Sequence, residues 1–91
     1  MDEIEKIDRL MREGNLQEAE KLTGEALAES PENAALHFRM GQLHYRKQEW
    51  GKAINAFQQA LELNPAYPGA KEQIELANSI LGYFTPDMFN P

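Results

Sequence analysis

Ninety-one residues, 42% hydrophobic and 26% charged, make one globular domain with a modest core. The absence of cysteine excludes disulfides and thiol catalysis, and a net charge of −6 argues against general nucleic-acid binding. The opening run MDEIEKIDRL is charged where a signal peptide would be apolar, and no apolar stretch approaches the ~20 residues that span a bilayer, so no membrane contact and a cytoplasmic location are expected.

The charge is unevenly placed. Residues 1–33 carry four basic and ten acidic groups, residues 34–65 four basic and two acidic, and residues 66–91 one basic and three acidic. The centre of the chain is the one basic element between acidic flanks.

In chain order, residues 2–13 form a first expected helix, Gly14-Asn15 a turn, and residues 16–29 a second helix ending before Pro31. The charged positions Glu3, Glu5, Glu18, Glu20 and Glu25 suit a solvated end. Residues 34–47 form a third helix, apolar at Leu36, Phe38, Met40, Leu43 and Tyr45, with Gly41 among them. A glycine inside a helix costs about 1 kcal/mol relative to alanine, so Gly41 points to the close approach of another helix. Only Gln48 and Glu49 separate this helix from the next, which forces an antiparallel hairpin. Residues 50–63 then place Trp50, Ala53, Ile54, Phe57, Ala60 and Leu61 on one stripe. Asn64-Pro65 ends it, because the residue before proline leaves the α region. A fifth helix is expected over residues 68–81, opened by Pro68 and striped at Ala70, Ile74, Ala77 and Leu81, with Gly82 just past its end. Residues 83–91 are an apolar, proline-containing tail holding Tyr83, Phe84, Met88 and Phe89.

An offset of 34 residues lays the first third on the centre: Arg12 falls on Arg46, Leu16 on Trp50, Ala19 on Ala53, Ala26 on Ala60, Leu27 on Leu61 and Pro31 on Pro65. Within the central unit the landmarks are His37, Met40, Gly41 and His44, then Ala53, Phe57, Ala60 and Pro65. This resembles the tetratricopeptide repeat, W-x2-L-G-x2-Y followed by A-x3-F and P over 34 residues. The first half departs from that pattern at His37, Met40 and His44, while the small positions are intact. The first copy is degraded, with Ile7 at the place of Gly41 and Thr23 at the place of Phe57. The resemblance implies an all-α fold, a short right-handed solenoid of antiparallel helix hairpins. Repeat 1 would cover about residues 1–33, repeat 2 about 34–67, and a capping helix about 68–82.

Catalytic motifs are lacking. His37 and His44 share a face at i, i+7, but both stand where the repeat packs an aromatic. No phosphate loop, nucleophile motif or marked carboxylate pair is present. No enzyme activity, metal or cofactor is expected. In tetratricopeptide proteins the first helix of each pair lines a concave groove for a partner's peptide or helix. The resemblance places the groove residues at Ile4, Asp8, Met11 and Arg12 in the first repeat. It adds Phe38, Arg39, Gln42, Tyr45 and Arg46 in the second, and Leu76 and Ile80 on the capping helix. One subfamily clamps a terminal carboxylate with Lys and Asn; Ile4, Asp8, Phe38 and Gln42 stand at those positions here, so that clamp is absent. The expected function is a non-catalytic protein–protein interaction module. Its guest would be a segment with acidic and bulky apolar residues, since Arg39 and Arg46 favour an acid. The chain's own tail, with Asp87, Met88 and Phe89, has that character. The alternative is self-association into weak homodimers through the groove or the tail.

Overall fold

The structure, a computed structural model, describes residues 2–84. It contains α1 (Glu3–Arg12), α2 (Leu16–Glu29), α3 (Ala34–Arg46), α4 (Trp50–Leu63) and α5 (Ala70–Phe84), and no strand among the described residues. Each helix packs on the next in sequence, and α1 also reaches α3.

Local chemistry sets the boundaries. The Asp2 side chain accepts from the Ile4 amide at 3.1 Å, and Glu3 and Glu5 in the first turn with Arg9 and Arg12 in the last suit the helix dipole of α1. Asn33 caps α3 by accepting from the amides of Ala35 at 3.0 Å and Leu36 at 3.4 Å. The two helix–helix turns match at the backbone. Gly14 has φ +78° and Gln48, 34 residues later, φ +63°. The Asn15 amide donates to the Leu10 carbonyl and the Glu49 amide to that of His44, both at 2.9 Å. Glycine takes this left-handed conformation freely; glutamine carries its strain. The repeat expected from side chains is thus also written in the main chain.

The core follows the stripes. Ile7, Leu10, Met11, Ala19, Ala26, Leu36 and Leu43 form one buried cluster, and Phe57, Ala53 and Ala60 are fully enclosed between α3 and its neighbours. A Cβ placed on Gly41 would lie 2.6 Å from two ring carbons of Phe57, which is the physical reason for glycine there. In the first repeat the sizes are exchanged: Ile7 stands at the position of Gly41, Thr23 at that of Phe57, and both are fully buried. The Thr23 hydroxyl is satisfied by donating to the Ala19 carbonyl at 2.7 Å. A large residue on the first helix and a small one on the second replace the small–large pair, so the first copy is altered yet still packed.

The fifth helix differs from the expectation at both ends. It begins at Ala70, because Pro68 and Gly69 form a turn in which Gly69 adopts φ +85° and cannot be helical. It runs through Gly82 to Phe84, so Gly82 lies inside the helix and does not terminate it. The expectations for Met88 and Phe89 lie outside the described residues.

A candidate protein-binding groove

The α1–α3 face carries an open cavity of about 510 Å³ lined by Asp8, Met11, Arg12, Phe38, Arg39, Gln42 and Arg46. A smaller one of about 250 Å³, lined by Met11, Gln42, Tyr45, Arg46 and Gln73, continues from it to α5. Eight of the eleven residues expected in the groove therefore share one continuous surface. The other three do not line either cavity. Ile4 packs against the core cluster, Leu76 is 51% exposed, and Ile80 is half-buried. Gln73, on α5, lines the smaller cavity opposite the α3 residues Gln42, Tyr45 and Arg46.

Several of these side chains hold the walls of the groove. Phe38 sits with its ring centroid 5.3 Å from Phe57 and 4.9 Å from Tyr67, and Tyr45 meets Trp50 edge-on at 5.1 Å. Such ring pairs stabilise beyond their buried area. Arg39 grips Asp8 with both forks: Nε donates to Oδ1 and Nη2 to Oδ2, each at 3.0 Å. Its Nη1 also donates to the Tyr67 hydroxyl at 3.0 Å. The hydrogen bond to Asp8 outweighs partial burial and raises the guanidinium pKa above its usual value. Arg39 is therefore committed within the fold and is not an unpaired groove cation. It joins α1, α3 and the α4–α5 link.

Two further contacts tie the basic centre to the acidic first repeat. Lys47 Nζ donates to both Glu20 carboxylate oxygens at 2.6 and 2.7 Å, which is the main cause raising its pKa. Arg46 Nη1 donates to the Met11 carbonyl at 2.8 Å, a second bond to a last-turn carbonyl of α1 that also accepts from the Gly14 amide at 3.1 Å. The uneven charge along the sequence is in part an inter-repeat clamp. Tyr67 was not expected in this network; an aromatic between Pro65 and Pro68 in a helix link was the available signal.

The histidines are polar-partnered. His37 Nε2 donates to the Pro31 carbonyl at 2.7 Å, tying α3 to the preceding turn. His44 Nδ1 donates to Glu49 Oε1 at 2.7 Å. That bond is the first cause holding the Glu49 carboxyl below the usual carboxylate range, with Lys47 and Lys52 adding to it. No group of three His, Asp or Glu side chains placed to hold a metal occurs among the described residues, and none of the described helices is long and apolar enough to cross a membrane.

No curated protein and no solved structure gave a match to the chain. The family model described as Tetratricopeptide repeat matches residues 10–72, which takes in the last turn of α1, all of α2, α3 and α4, and the start of α5. With a 34-residue period in side chains and turns alike, the chain belongs to the tetratricopeptide repeat family.

Proposed function

We propose that this chain is a non-catalytic interaction module that takes an extended segment of a partner protein along the α1–α3–α5 face. Repeats of this family mediate protein–protein interaction, and stacked hairpins create an extended concave surface for it. The observation that carries the reading is the continuity of the two cavities through Met11, Gln42 and Arg46, which line both. The lining combines Phe38 and Tyr45 with more arginine than carboxylate, so the guest has acidic and bulky apolar residues. A displayed library of seven-residue peptides tests this. Selection is expected to enrich acidic sequences bearing a bulky apolar residue. Gln42→Trp, which fills the shared stretch of both cavities, is expected to reduce binding of the selected peptides at least tenfold, whereas Glu25→Trp on exposed α2 leaves it unchanged. Equal binding by both variants rejects the groove. Residues 85–91 carry the same chemistry; removing them should then raise peptide affinity if they compete for the site. A second reading, self-association, draws on exposed Leu76 and Leu63. It predicts a mass in light scattering that rises with concentration, and a constant monomer mass rejects it.

A further inference from the structure

The groove cations divide into two kinds. Arg39 is matched by Asp8, whose two oxygens it occupies. Arg12 and Arg46 are both exposed and form no ion pair among the described residues; Arg46 spends one nitrogen on a neutral carbonyl and Arg12 makes no hydrogen bond there. They are the last residues of α1 and α3, 34 positions apart, and they line the same cavity. Glu5 and Asp8 line a second small cavity with Arg9 and Arg12, but Asp8 is taken by Arg39 and Glu5 forms no ion pair among the described residues. Toward α5 the lining changes to Tyr45 and Gln73. Arginine near a helix C-terminus is favourable in its own right, which accounts for the residue type but leaves the charge uncompensated.

We infer that Arg12 and Arg46 are the anion-reading pair of the groove, so that a bound segment lies with its acidic side chains against the ends of α1 and α3 and its bulky apolar residue against Tyr45 toward α5. This rests on the groove reading above and assigns its charge selectivity and its direction. A guanidinium presents a planar fork that a carboxylate side chain meets with two hydrogen bonds. Two cations at equal register, one helix spacing apart, suit two acids on one extended segment. Arg39 contributes nothing to this selectivity, because a ligand acid would have to displace Asp8.

The test uses the full chain and two synthetic seven-residue peptides. One has two aspartates followed by leucine and phenylalanine; the other has lysines in place of the aspartates. Affinity is read by fluorescence anisotropy, and the site by amide shifts. The parent is expected to prefer the acidic peptide. Arg12→Glu with Arg46→Glu should weaken that peptide by about tenfold and strengthen the lysine peptide by a similar factor, with both effects shrinking at high salt. Because Arg46 also supports the Met11 carbonyl, Arg12→Glu alone is the second variant, with the same change in direction and smaller size. An unchanged preference, with shifts still at Gln42, Tyr45 and Gln73, overturns this inference and leaves the groove reading standing. Shifts confined to α2 and the outer face of α4 overturn both. Failure of the acidic peptide to bind the parent overturns the inference as well.

Discussion

Phe57→Ala is expected to lower stability by about 3–5 kcal/mol, a large part of the roughly 5–15 kcal/mol that a folded domain has. The ring is fully buried and packs against both Gly41 and Phe38, so its removal opens a cavity where two helices meet most closely. Gly41→Ala tests the same contact from the other side. On helix propensity alone it would stabilise by about 1 kcal/mol. With a Cβ 2.6 Å from the Phe57 ring, packing reverses the sign to a loss of about 1–3 kcal/mol. Combining Gly41→Ala with Phe57→Leu should cost less than the two changes added together, since each relieves the other. Urea melts followed by circular dichroism decide it. A Gly41→Ala protein more stable than the parent would mean that the two helices do not meet there.

Arg39→Met is the second large effect, a loss of about 1–3 kcal/mol. It removes the two bonds to Asp8 and the bond to Tyr67 that together join three parts of the fold. Asp8 has 35% of its side chain exposed and can rehydrate, which keeps the figure below that of a fully enclosed pair. The double variant Asp8→Leu, Arg39→Met should regain much of the loss, because no charge is then left without its partner. The same urea melts measure both. If Arg39→Met melts with the parent, the link contributes nothing to the stack.

Sequence periodicity located the first four helices to within a residue, because Ala19, Ala26, Ala53 and Ala60 recur at places where only small side chains fit between helices. The fifth helix was misplaced for a local reason. Pro68 opens helices and turns alike, and nothing in its type shows that Gly69 would turn left-handed. Gly82 had the opposite ambiguity: a glycine near a helix end reads as a stop, yet here the backbone continues through it. That Asp8, Met11 and Arg12 share one face with Phe38, Gln42 and Arg46 was legible, because the repeat fixes which sides of α1 and α3 lie together. The partner of Arg39 was not. Asp8 is 31 residues away and Tyr67 is 28, and a register alone does not say which arginine an acid on the neighbouring helix will hold. Arg39 and Arg46 are alike in sequence, and only their surroundings separate a structural cation from an available one.

The central claim, that partners bind along the α1–α3–α5 face, is tested most directly by adding a library-selected peptide to isotope-labelled protein and mapping amide shifts. The expected shifts centre on Met11, Gln42, Tyr45, Arg46 and Gln73, with Glu25 and Gln58 on the far helices unmoved. Shifts concentrated on α2 and α4, with the groove residues unmoved at saturation, would contradict it.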